Sequence, residues 1–202
     1  MTRPATYEDY VRLQTQTYES FESTIPRWEE GQARYLTLFE SVNRKTRILD
    51  VACGDGVGLR VFRKMGFINL TGVELDLNKA VKARTSGYCV ISADFHDLGV
   101  LENASYDVVY SSHSLEHAWD PAKAVSELQR VLVPNGYMYV VLPYPDRGPD
   151  DAHLAKYELG TDADDGGLKV SQWFISQGFT IESLRFDSYR EPEIWLKMRK
   201  KA

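Results

Sequence analysis

The chain has 202 residues, of which 43% are apolar and 26% charged, with a formal net charge of −5. That composition excludes a largely disordered chain and leaves enough length to bury a core. The sequence pI of about 5.4 speaks against the basic footprint of a nucleic-acid binder, and no apolar run approaches the roughly 20 residues of a membrane helix.

Met1 to Pro4 lack the apolar core of a secretory signal. The only two cysteines, Cys53 and Cys89, have no metal-type spacing, so a reduced, cytoplasmic protein is expected. Residues 1–45 read as a helical N-terminal cap. Tyr7, Tyr10, Leu13 and Tyr18 share one helical face. Ile25-Pro26 interrupts it, and a second helix is predicted over 27–42. The cap either covers a sheet edge or closes over a ligand, and both readings stay open.

From Arg47 onward strands and helices alternate, which predicts βαβ units and a mainly parallel sheet. Strands are predicted over 47–51, 69–75, 89–93, 106–111 and 137–142, with helices over 59–65 and 77–84 between them. Asp120-Pro121 opens a further helix, and Pro134-Asn135-Gly136 marks a turn. Residues 143–165 form a long irregular stretch rich in Pro, Gly and Asp. A helix over 168–177 and two strands, 179–187 and 193–199, complete the chain. The first of these strands alternates poorly around Ser183, the mark of a bulge. In the second, Ile194, Leu196 and Met198 face away from Trp195 and Lys197. A single domain over 1–202 is expected, with a cofactor-binding core at 46–145 and a substrate-side loop, helix and hairpin at 146–202.

The organising stretch is Arg47 to Gly58. A short apolar strand ends at Asp50-Val51, and Gly54, Gly56 and Gly58 follow within five residues. Glycine serves where the backbone needs positive φ or a ligand comes close, and the carboxyl edge of such a sheet is where nucleotide-like ligands sit. Glu74 ends the second strand, 18 residues past Gly56, near the spacing at which an acid meets a ribose diol. Asp94 ends the third and precedes Phe95, an arrangement suited to an adenine amine and ring. Leu59 stands where a dinucleotide fingerprint has its third glycine, and Asp50 and Asp55 would repel a pyrophosphate. A cationic cofactor head is the better match.

These segments resemble the class I S-adenosylmethionine-dependent methyltransferases. Ile48 to Gly58 is similar to their first motif, Val73-Glu74-Leu75-Asp76 to their ribose-binding segment and Ser92-Ala93-Asp94-Phe95 to their adenine-binding segment. Asp107 to Tyr110 and Leu128 to Leu142 resemble the fourth and fifth strand motifs. The likeness covers about 45–145 and is nearest the small-molecule branch of the ubiquinone and menaquinone biosynthesis methyltransferases. The resemblance implies an α/β, Rossmann-like, seven-stranded, mainly parallel sheet with an antiparallel last strand and helices on both faces. It also implies S-adenosyl-L-methionine as cofactor. Asp50, Ala52, Cys53, Gly54 and Gly56 would hold its methionine end, Glu74 and Leu75 its ribose, and Asp94 and Phe95 its adenine. Ser111 would line the methionine pocket. Cys53 itself reads as a small buried residue with no redox role.

Displacement at a sulfonium depends chiefly on positioning, and a base is needed only where the acceptor must lose a proton. The candidates are His113, Glu116 and His117, just after the fourth strand. Some relatives acting on catechols place Glu, Glu and His here for a divalent cation. His113 replaces the first Glu in this chain, so no metal is expected. Asp150, Asp151 and His153 would border the acceptor site, with Trp119, Tyr144 and Trp173 as apolar walls. The expected activity is methyl transfer to O or N of a small molecule. A protein side-chain methyltransferase and a non-catalytic cofactor-binding subunit are the alternatives. The oligomeric state, a homodimer included, stays open.

Overall fold

The computed structural model describes residues 4–17 and 20–201. Tyr18, assigned to the first helical face, lies outside them. Seven strands form one sheet: β1 (Arg47–Val51), β2 (Asn69–Glu74), β3 (Cys89–Ser92), β4 (Tyr106–Ser112), β5 (Leu132–Pro143), β6 (Phe179–Asp187) and β7 (Glu193–Lys200). Their order is β3-β2-β1-β4-β5-β7-β6. The strands from β3 to β5 pair in parallel, and β7 is antiparallel to both β5 and β6. The Rossmann-like sheet with an antiparallel last strand is therefore present.

Alternation along the strands divides the core into two layers. Leu49, Val51, Val109, Met138, Val140, Ile194, Leu196 and Met198 face one side. There they pack with α5 (Pro121–Val131) and α7 (Leu168–Ser176). Ile48, Val108, Tyr110, Tyr139, Val141 and Trp195 face the other. They meet α2 (Trp28–Leu36) and α3 (Val57–Lys64). Burying each such side chain contributes about 1.5–3 kcal/mol. The remaining helices are α1 (Tyr7–Thr17), α4 (Leu77–Thr85) and α6 (Lys156–Leu159). Asp120 caps α5 by accepting from the Lys123 amide at 2.8 Å, with Pro121 in the first turn as the sequence predicts.

Three local departures have plain causes. The helix predicted over 27–42 stops at Leu36 and tightens into a 3-10 turn, Thr37–Phe39. Residues three apart eclipse in such a turn. Leu36 and Phe39, both fully buried, therefore enter one layer together. The Pro134-Asn135-Gly136 turn sits inside β5. Leu132 pairs with Tyr106, the register slips, and pairing resumes at Tyr137 with Val108. Asn135 there takes φ +60°. The irregular stretch after β5 contains α6, whose Leu159 is fully buried. The bulge expected near Ser183 is present, as a register shift between Ile181 and Ser183.

Among the described residues no helix is long and apolar enough to cross a membrane.

Candidate active site

A cavity of about 290 Å³ opens at the carboxyl ends of β1, β2 and β4 and is roofed by the N-terminal segment. After β1 the chain turns through Ala52 (φ +52°), Gly54 (φ +55°) and Gly56 (φ +88°) into α3. Gly58 lies within α3 without a positive φ but lines the cavity, the second of the two roles expected of it. Its reason is steric. A Cβ there would stand 2.6 Å from Asp50 Oδ2, with Tyr110 at 3.3 Å behind. Gly58→Ala therefore forces that carboxylate out of place. We expect it to lower stability by about 1–3 kcal/mol, despite the better helix propensity of alanine. Equilibrium denaturation checks this, and an unchanged midpoint would remove the steric reading.

One end of the cavity is acidic. Asp50 is 3% exposed, and its Oδ2 has no hydrogen-bond partner among the described residues. Burial first, then the charges of Glu74 and Glu22, push its carboxyl well above the usual range. Glu74 accepts from the Gly54 amide and the Asp76 amide, each at 2.8 Å. Burial raises it too, with those two amides opposing. Glu22, in a 3-10 turn of the cap, accepts from the Asp55 amide at 3.1 Å and pairs with Lys79 at 2.6 Å. A buried carboxylate oxygen without a partner is costly unless something cationic completes it. An acidic end of this kind fits a sulfonium-ammonium cofactor and opposes a pyrophosphate.

Ala52, Cys53, Glu74, Leu75 and Phe95 line the same cavity, as do His113, Glu116 and His117. Other predicted residues are placed differently. Asp94 is absent from the wall. It accepts from the His96 amide at 2.8 Å and from the Tyr7 hydroxyl, and it pairs with the His96 ring at 2.6 Å. The His96 contacts hold its carboxyl low against the burial that would raise it. Ser111 is fully buried behind the wall, 2.6 Å from the Ser114 hydroxyl, and Ser114 does line the cavity. Gly54 and Gly56 shape the turn rather than the wall. Asp55 pairs with Lys82 at 2.6 Å and bonds Ser23, so its charge is spent on clamping the cap. Trp119, Tyr144 and Trp173 do not line the cavity; Trp28 and Tyr10 from the cap do. Asp150 pairs with Lys156 at 2.6 Å on the surface, while His153 reaches the wall.

The opposite end is built of imidazoles and carboxyls. His113 takes φ +51°, uncommon for a non-glycine residue. Its Nε2 lies 2.9 Å from Glu193 Oε2 and 3.2 Å from an Arg190 amine. Its Nδ1 stands 3.7 Å from Glu116 and 3.6 Å from Glu191. Burial holds His113 below the usual histidine range, with Glu193 opposing. Burial pushes His117 down to about 3, and its Nδ1 donates to the Ala152 carbonyl at 3.0 Å. Glu116, 1% exposed, is raised well above a normal carboxyl by the same burial. Burial thus favours the uncharged form of both rings and of the Glu116 carboxyl.

Glu22, Gln32, Lys79 and Arg190 line the cavity without any prior sign in the sequence. Gln32 bonds Tyr110 and donates to the Ser112 hydroxyl at 2.8 Å. Arg190 lies in a charged hairpin connection, a pattern that ordinarily marks solvent.

Residues 49–140 match the family profile described as a methyltransferase domain. The chain is 31% identical over 113 residues to a ubiquinone biosynthesis O-methyltransferase of Hydrogenovibrio crunogenus, covering 52% of this chain and 45% of that one. It is 32% identical over 126 residues to cycloartenol-C-24-methyltransferase 1 of Oryza sativa subsp. japonica, covering 57% and 35%. The matched region thus spans less than half the length of these relatives. Among solved structures, an S-adenosylmethionine dependent methyltransferase from Mesorhizobium loti superposes with a TM-score of 0.65 at 20% identity, covering 85% of this chain and all (100%) of that one. A (4+2)-cyclase superposes at 0.69 with 19% identity, covering 87% and 82%, so the architecture alone does not define a reaction. Residues 49–140 thus match a methyltransferase-domain profile, and the sheet has the Rossmann-like architecture of the solved methyltransferase structure it superposes on. S-adenosylmethionine is the cofactor that this domain class implies.

Proposed function

We propose that the protein transfers a methyl group from S-adenosylmethionine to an oxygen or nitrogen of a small molecule by direct displacement. One observation carries this reading: a single roofed cavity has buried carboxyl groups at one end and buried imidazoles at the other. When bound, the cofactor supplies an electrophilic methyl group on a sulfonium. Asp50 and Glu22 would attract its positive charges, Glu74 would accept from its ribose hydroxyls, and Phe95 would sit beside its base. Asp94 takes the adenine amine only by exchanging part of its contact with Tyr7. The cap, 1–45, excludes water over the 46–145 core, and 146–202 contributes the acceptor side.

His113 is the preferred base. With its Nε2–H donated to Glu193, its Nδ1 keeps a lone pair near Glu116 and can accept an acceptor hydroxyl or amine proton. His117, held by Ala152, orients the same loop with Glu116. The cap residues Trp28 and Tyr10 in the cavity wall favour a metabolite over a protein side chain.

Calorimetry with S-adenosylhomocysteine, S-adenosylmethionine and NADH tests the proposal. Uptake of the first two and not the third is expected. Retention of NADH with no uptake of either adenosyl compound would overturn it. Acceptor pools assayed for demethylated cofactor then test transfer itself.

A further inference from the structure

Among the described residues two cations line the cavity, Lys79 and Arg190. Lys79 is tied to Glu22 at the cofactor end. Arg190 stands at the acceptor end, in the connection between β6 and β7, and methyl transfer as described makes no use of it. Its guanidinium lies 4.4 Å above the Trp28 ring, and its side chain is only 20% exposed. The carboxylate beside it belongs to Glu191, its chain neighbour, whose side chain is 39% exposed. A flat cation stacked on an aromatic face and turned into a roofed cavity is built to hold a planar anion by two parallel bonds. Glu191 can yield its place by turning to water.

The His113 ring strengthens the argument. Its Nε2 is approached by an Arg190 amine at 3.2 Å and by Glu193 Oε2 at 2.9 Å. A neutral imidazole nitrogen cannot accept from one and donate to the other. Glu193 is fixed, because its second oxygen accepts from the Trp195 indole at 2.7 Å. Arg190 is the partner that can leave. Once its fork engages an anion and Glu191 turns to water, Nε2–H donates to Glu193 and Nδ1 is left with its lone pair on the Glu116 side.

We propose that the methyl acceptor is a small carboxylate, held by Arg190 above Trp28, and that this contact leaves His113 in the tautomer that accepts a proton at Nδ1. The inference rests on the methyl-transfer reading and names the substrate class of that site.

The test uses the full chain saturated with S-adenosylhomocysteine. Benzoate, 4-hydroxybenzoate and N-acetylglycine are titrated against their amides by calorimetry. At least one acid is expected to bind about tenfold or more tightly than its amide, the scale of a charge-assisted bidentate contact. Arg190→Gln should bring the pair to within about twofold, and Arg190→Lys should keep part of the preference. Glu191→Gln, which removes the competing carboxylate, should tighten the acid. Equal binding of acid and amide, no binding of any acid, or a preference that survives Arg190→Gln would each overturn the proposal. Cofactor affinity is measured alongside. Its loss in the wild-type protein would defeat the methyl-transfer reading, whereas intact cofactor uptake without acid preference defeats only this one.

Discussion

Asp50→Asn should cost about 10²-fold in S-adenosylmethionine affinity, the scale of removing one partner from a buried charge pair. It should also make the ligand-free protein less sensitive to alkali. Both effects have one origin. Asp50 is buried with an unpartnered oxygen, and burial, Glu74 and Glu22 raise its carboxyl well above the usual range. A carboxyl raised on folding stabilises the native state fully at pH below its unfolded value. That contribution is lost as pH rises through the folded value. The wild-type protein should therefore lose stability across that interval, and the Asn variant should not lose this share. Cationic cofactor opposes that shift and favours the ionised form, so cofactor affinity should rise with pH as Asp50 loses its proton. Calorimetric titrations across pH read that dependence. An Asn variant with full cofactor affinity would remove Asp50 from the cofactor site.

His113→Ala should lower turnover by about 10²-fold, the lower range for a general base, while cofactor affinity stays within about twofold. The ring lies at the acceptor end, and none of its recorded partners belongs to the acidic end. Because its backbone takes φ +51°, a companion His113→Asn variant separates chemistry from strain, since asparagine tolerates that conformation. Loss in both variants assigns the base; recovery in Asn alone assigns a backbone role. Burial holds the ring below the usual histidine range. The acid limb of the wild-type pH–rate profile should accordingly lie below that range, with full activity above it. Equal loss of turnover and cofactor affinity in His113→Ala would defeat the assignment.

Much of the sheet was legible because strand alternation and helix capping are local. β1 and β6 run over the predicted residues, and the second face of β7 emerged from its alternation. The N-terminal helix over 27–42 misread its end, because the tight turn at Thr37–Phe39 answers to aromatic rings from α3 and β5, distant in sequence. Asp50, Glu74 and Phe95 reached the cavity because strand ends deliver them there. Trp119, Tyr144 and Trp173 did not: Trp119 packs against Tyr10, which itself lines the cavity, Tyr144 bonds Asp165 and Trp173 packs on Phe174.

The order of elements, the acidic strand ends and the imidazole loop were determined by the sequence itself, because periodicity and short-range spacing generate them. Only the tertiary structure decided what meets across the cavity. Glu22 and Asp55 are 33 residues apart, and Arg190 and His113 are 77 apart. Such pairings follow from how the cap and the last hairpin close over the sheet, and no spacing along the chain encodes them.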